Sequence, residues 1–130
     1  MPSLPSSDLN ADPSPAPGAP PLLQARQVFK EYRVGHRRIE VLRGVDLTLS
    51  HGDFVALRGT SGAGKSTLLH LLGGLDSPTA GEVTFEGRRL EELSGAALAR
   101  FRNHQIGFVF QAYHLFPELD ALENVCLPAR

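Results

Sequence analysis

The sequence predicts an α/β fold: a P-loop core carrying an antiparallel, β-rich subdomain on its N-terminal side. Three observations predict it. A glycine-rich segment, Gly59 to Ser66, stands between an apolar run and a stretch of helical spacing. Ahead of it lie alternating segments joined by polar turns, the pattern of antiparallel strands. Beyond it, Ile106-Gly107-Phe108-Val109-Phe110 is a continuous apolar run suited to a strand buried on both faces of a parallel sheet.

The first 21 residues hold seven of the ten prolines and are otherwise rich in serine and alanine. Such a segment cannot bury enough apolar surface to order itself, so residues 1–21 are expected to be a disordered tail and 22–130 the folded part. The tail has neither the basic start nor the apolar block of a secretory signal. Leu22 to Tyr32 alternates loosely, as a strand does, and Arg33 to Arg38 reads as a polar turn. Ile39 to Leu42 and Val45 to Leu49 are the next strands, and His51-Gly52-Asp53 turns into Phe54-Val55-Ala56-Leu57, the strand entering the loop.

The helix that starts at Lys65 is expected to stop at Gly73-Gly74. Ser77 to Gly81 is a turn, Glu82 to Phe85 a strand, and Glu86-Gly87 a second turn. Ser94 is a helix N-cap, with the helix running to Arg102 and carrying Leu98 and Phe101 on one side. Asp120-Ala121-Leu122-Glu123 spells a capping box for a last helix.

Composition excludes several classes. A net charge of −1 supplies no electrostatic reason to bind nucleic acid. The pairs Arg37-Arg38 and Arg88-Arg89 read as solvated turn residues. Cys126 is the single cysteine, which rules out an intrachain disulfide; it reads as a buried small apolar residue. No His/Cys cluster suggests a structural metal. No apolar run approaches the ~20 residues that cross a bilayer, so the chain has no span of its own.

Gly59-Thr60-Ser61-Gly62-Ala63-Gly64-Lys65-Ser66 is a complete phosphate-binding pattern in the order strand, glycine turn, helix. With glycine at ~7% of residues, chance produces it in well under ~1% of chains of this length. Glycines let the backbone close around an anion, and the helix aims its positive end at the phosphates. Lys65 can reach the β- and γ-phosphates, and the Ser66 hydroxyl can coordinate Mg²⁺. The motif therefore points to a nucleotide bound with Mg²⁺. On the residues alone Tyr32 reads as a core tyrosine at a strand end, and His114, Leu115, Phe116 and Pro117 read as core packing.

Taken together with Lys30-Glu31-Tyr32, Asp76-Ser77-Pro78-Thr79-Ala80-Gly81-Glu82-Val83, Ile106 to Gln111, and Leu115 to Val125, the loop resembles that of the ATP-binding subunit of ABC transporters. The likeness covers residues 22 to 130. It is strongest to the lipoprotein-releasing and macrolide-export branch, with the cell-division type nearby. The resemblance implies that Tyr32 stacks on adenine and that Gly59, Ser61, Gly62, Ala63, Gly64 and Lys65 cradle and neutralise the phosphates. It implies that Ser66 ligates Mg²⁺, that Thr67 hydrogen-bonds the α-phosphate, and that Gln111 touches Mg²⁺ and the attacking water. Residues 114–117 would then receive a transmembrane permease.

Further implications are a homodimer of ATP-binding domains in the complete protein and a cytoplasmic position, peripheral on the inner membrane face. The family's LSGGQ signature, Walker B aspartate, catalytic glutamate and switch histidine are absent from the 130 residues. The expected fold is thus truncated before the Walker B strand, from an incomplete sequence record or a frameshifted gene. Alone it is expected to be marginally stable and hydrolytically inactive, with edges such as Val55 and Val109 lacking neighbours. The alternatives are a non-catalytic regulatory fragment that docks on a permease and a chromosome-maintenance ATPase. Tyr32 and the Leu122-Glu123-Asn124-Val125 segment argue against the latter.

Overall fold

The computed structural model describes residues 20–127. The disordered-tail expectation for 1–21 therefore falls almost wholly outside the described residues. Four strands form one antiparallel sheet in the order β2-β1-β3-β4, with β1 at Leu23–Val34, β2 at Arg37–Leu49, β3 at Ala80–Phe85 and β4 at Arg88–Arg89. Three α-helices accompany it: α1 at Lys65–Leu72, α2 at Gly95–Gln105 and α3 at Ala121–Cys126.

The loose alternation of β1 has a structural cause. Leu23 and Ala25 face the core, and then a bulge shifts the pairing against both β2 and β3, so that Val28 and Lys30 take over the buried face. An extra residue in one strand re-phases every side chain beyond it. The bulge is held at Gln27 (φ 44), whose amide donates to Asp46 Oδ1 at 2.8 Å and whose side chain bonds Asp46 Oδ2. It presses on Gly81, where a Cβ would lie 2.0 Å from the Gln27 carbonyl oxygen, so β3 needs glycine there.

The expected pair of strands after the first turn is one continuous β2. Gly44 (φ 75) absorbs the extra residue between Val45, opposite Val28, and Arg43, opposite Phe29. The turn is also tighter than expected, since Val34 pairs with Arg37 across Gly35-His36.

On α1, Leu68, Leu71 and Leu72 recur at i, i+3 and i+4 and belong to the same buried cluster as Leu23, Ala25, Val28 and Val83 of the sheet. Leu71, Val28 and Val83 are the largest fully buried side chains. The helix ends as expected at Gly73-Gly74: the Gly73 amide donates to Leu69 O, that of Leu75 to His70 O, and Gly74 has φ 66. Arg102 of α2 donates to Gly74 O at 3.0 Å, and Phe101 meets Phe85 edge-on at 5.0 Å. Ser94 caps α2 through the Ala97 amide, and α2 runs three residues past its expected end.

Several expectations are corrected. Phe54–Leu57 and Ile106–Phe110 are not strands among the described residues. A strand exists only by pairing, and no described segment pairs with either one. Phe54 and Val109 are accordingly almost wholly exposed, and Val55 half so. Arg88-Arg89 forms the short edge strand β4, and Arg89 reaches Glu82, Glu91 and Glu92 rather than sitting free in a turn. Arg37 and Arg38 lie in β2, with Arg38 3.6 Å from Glu31. Cys126 is half-buried on a helix with no buried residue.

Candidate functional site

The chain leaves the sheet at Leu49, passes the Ser50–Asp53 turn and reaches Gly59 to Gly64 just before α1. Gly62 (φ 79) and Gly64 (φ 82) both adopt the left-handed conformation that L side chains resist. Gly64 is also the N-cap of α1 and lies against β2, where a Cβ would stand 2.8 Å from Leu42 Cδ2 and 3.0 Å from Val41 O. No side chain caps this helix end. Its first-turn amides are left for another acceptor, and the helix dipole selects a negative one.

Lys65 opens α1 and turns back over the loop, donating to Gly59 O at 2.9 Å and Thr60 O at 2.8 Å. The ammonium is thus held at the loop by two carbonyls that an anionic ligand can replace. Ser61, Gly62, Ala63 and Ser66 are exposed, while Lys65 and Thr67 are half-buried. The uncapped first-turn amides of α1, one lysine and one hydroxyl make a donor set that fits a magnesium-complexed triphosphate.

Tyr32 follows Val28 and Lys30 on the same face of β1. It is 38% exposed and is therefore not a core tyrosine. Its hydroxyl donates to Asp76 Oδ2 at 2.8 Å. Lys30, 9% exposed, places its ammonium 2.7 Å from Asp76 Oδ1 and from Ser77 O, and 4.9 Å from the centre of the Tyr32 ring. Removing the carboxylate would leave a buried ammonium uncompensated, typically a cost of about 3–5 kcal/mol.

Partial burial raises the Asp76 pKa. Hydrogen bonds from Lys30, Tyr32 and the Ser77 amide, together with the Lys30 charge, outweigh it and hold the group below the ordinary carboxylate value. Burial, followed by the hydrogen bond and charge of Asp76, raises the Tyr32 phenol. Asp76 in turn joins Tyr32 to the end of α1, since its amide donates to His70 O at 3.4 Å.

Gln111 is exposed, and no hydrogen bond among the described residues joins it to the loop. The segment before it is nonetheless anchored at the end of α1: Phe108 lies on Gly73, where a Cβ would come 2.0 Å from the ring, and stacks on Phe110 at 5.4 Å. Leu115 and Phe116 are exposed, which excludes core packing for both among the described residues. Asn124 shapes this stretch. Its side chain accepts from the Phe116 amide and donates to the carbonyls of Phe116, Leu119 and Asp120. The expected capping box of α3 is present in both directions.

The motifs containing Lys30, Asp76 and Asn124 are legible in the sequence, but their roles are not. The available signal was a lysine two residues before an aromatic, on the same strand face, with an aspartate just past the helix.

Residues 42–130 match the family model described as ABC transporter. The chain is 56% identical over 108 residues to the lipoprotein-releasing system ATP-binding protein LolD of Myxococcus xanthus (strain DK1622), covering 83% of this chain and 48% of that one. Against the protein of the same name from Geobacter metallireducens (strain ATCC 53774 / DSM 7210 / GS-15), identity is 54% over 107 residues, covering 82% and 48%. Among solved structures, a dimeric bacterial ABC transporter cassette, MJ0796, superposes with a TM-score of 0.75 at 43% identity, over 82% of this chain and 46% of that one. A post-hydrolysis dimer of the same cassette bound to ADP and Pi gives 0.74 at 43%, with the same coverage. The chain spans about half the length of the curated relatives it matches.

Proposed function

The chain belongs to the ABC transporter family, and from that membership we propose that it supplies the ATP-binding half-site of a transport ATPase working with a transmembrane permease. The observation that carries this reading is the Lys65 ammonium, held over two loop carbonyls beside Gly62 and Gly64 in left-handed conformations. In this reading Gly59, Ser61, Gly62, Ala63 and Gly64 turn their amides to the phosphates, Lys65 neutralises the β- and γ-phosphates, and Thr67 bonds the α-phosphate. Tyr32 stacks on adenine. Ser66 and Gln111 are the residues that would hold Mg²⁺, which when bound neutralises phosphate charge.

The names of the relatives support lipoprotein release as the process served. The dimeric cassettes support a pair of ATP-binding domains in the complete assembly. No described helix is long and apolar enough to cross a membrane, so a role at the inner membrane face falls to contact with the permease. Exposed Leu115 and Phe116, beside a groove of about 750 Å³ lined by Phe108, Tyr113 and His114, are the surface offered to it. Residues 22–130 act in this reading as one partial ATP-binding domain.

We further infer that the 130-residue chain alone binds ATP without turning it over. No acidic side chain among the described residues bonds Lys65, Ser66 or Gln111, so no base is positioned for water. Calorimetry with Mg-ATP and with inorganic tripolyphosphate tests the binding. Both are expected to bind, and Lys65→Ala to weaken both by at least about tenfold. Absence of heat with either probe sinks the reading. Steady phosphate release that Lys65→Ala abolishes would refute the inactivity alone.

A further inference from the structure

We propose that Asp76 and Lys30 are positioning residues for the base of the nucleotide: they clamp the Tyr32 ring in one orientation and tie it, through α1, to the phosphate loop. The inference rests on the nucleotide reading above and adds to it a support beneath the aromatic platform.

A ring at a strand end has little reason to hold one orientation. Tyr32 is two residues from the end of β1, and more than a third of it faces solvent. Left alone it would sample several rotamers, and a base stacking on it would have to order it. Three contacts remove that freedom. The hydroxyl is tied to Asp76 Oδ2 at 2.8 Å, the ring carries the Lys30 ammonium 4.9 Å from its centroid, and the same ammonium holds the other carboxylate oxygen at 2.7 Å.

Asp76 is itself fixed. Its Oδ1 accepts from the Ser77 amide at 2.7 Å, and its own amide donates to His70 O at 3.4 Å, which ties it to the end of α1. Lys30 in turn donates to Ser77 O, and Thr79 bonds the backbone of β1 on both sides of Lys30. The platform is therefore braced against the helix whose first turn holds Lys65, Ser66 and Thr67. A base on Tyr32 and phosphates in the loop are registered to each other through α1 and Asp76.

Lys30 reaches this place only because the Gln27 bulge turns it onto the buried face. A lysine there is unfavourable for packing alone, since burial of an ammonium must be offset by partners. Its retention has a use if the ammonium holds both the carboxylate and the ring.

The test separates base from phosphate. Tyr32→Phe keeps the ring and deletes the hydroxyl, and Asp76→Asn keeps the shape and deletes the charge. Binding of Mg-ATP and of tripolyphosphate is measured by calorimetry for both variants, for the double variant and for the unsubstituted chain. Each single variant is expected to lose about three- to tenfold in ATP affinity, the size of one hydrogen bond, with tripolyphosphate within about twofold. The double variant is expected to lose less than the product of the two, because one bond is removed twice.

Unchanged ATP affinity in Tyr32→Phe overturns the proposal. A parallel fall for ATP and tripolyphosphate overturns it too, because that marks a general loss of structure. Should Asp76→Asn fail to fold, Tyr32→Phe still decides. If the unsubstituted chain binds tripolyphosphate but ATP no more tightly, the base does not use Tyr32 and the clamp has nothing to position. If it binds neither, the nucleotide reading itself falls.

Discussion

Replacing Gly64 by alanine, with Gly62→Ala as its control, separates two reasons for glycine in the loop. Both residues have nearly the same backbone conformation, φ 82 and φ 79. For an L residue the left-handed region costs about 1–2 kcal/mol, and this term is common to the two variants. They differ in what a Cβ would meet. At Gly62 nothing lies within 4 Å. At Gly64 the new carbon would stand 2.8 Å from Leu42 Cδ2, 3.2 Å from Val41 Cγ1 and 3.0 Å from the Val41 carbonyl oxygen.

Neither neighbour can yield easily. Leu42 is 4% exposed within the core cluster, and the carbonyl belongs to the backbone of β2. Forcing an extra methyl into such a site adds about 1–3 kcal/mol. Gly62→Ala is therefore expected to lose about 1–2 kcal/mol and Gly64→Ala about 2–5 kcal/mol. Urea unfolding followed by circular dichroism measures both, and a Gly64→Ala chain already unfolded without urea agrees with the larger figure. Equal costs would refute the claim that β2 presses on the first turn of α1.

Two further outcomes follow from the same geometry. The folded-state pKa of Asp76 is lowered below its ordinary 3.8, so its contribution to stability is fully present above that value and is lost as pH falls through the folded one. The urea midpoint should drop on acidification below about pH 4, and less steeply in Asp76→Asn, where Lys30 and Tyr32 no longer face a titrating group; identical slopes would count against the pair. Asn124→Ala removes four hydrogen bonds to Phe116, Leu119 and Asp120. Amide exchange is expected to rise over residues 116–120 while the amides of β1 and β2 keep their protection, and a uniform rise along the chain would contradict a local role.

What could be read from the sequence was whatever depends on neighbours in the chain. The glycine loop ahead of α1, the Ser94 cap, the Gly73-Gly74 stop and the capping box at Asp120 each need only a few consecutive residues, and each is where the spacing puts it. The β-rich subdomain was legible as a class for the same reason. The continuity of β2 was not, because Gly44 reads as a breaker until its neighbour across the sheet is known: the Phe29 ring stands 3.0 Å from where a Cβ would lie. The runs at 54–57 and 106–110 mark the opposite error. Their apolar composition is that of buried strands, but composition does not make a ladder, and no described segment supplies the other half.

The site shows the same division one level up. Lys65 and the glycines announce themselves by spacing, whereas Lys30 and Asp76 are 46 residues apart and acquire meaning only through register. Strict alternation from Leu23 would set Lys30 on the opposite face from Ala25, pointing to water, and Tyr32 with it. The bulge at Gln27 reverses both at once, and Gly81 makes room for it. Inserting one residue between Val28 and Lys30 should therefore do more than lengthen β1. It should swing the Lys30 and Tyr32 side chains to the outer face, strand Asp76 without its ammonium, and leave the glycine loop ahead of α1 intact beneath an absent platform.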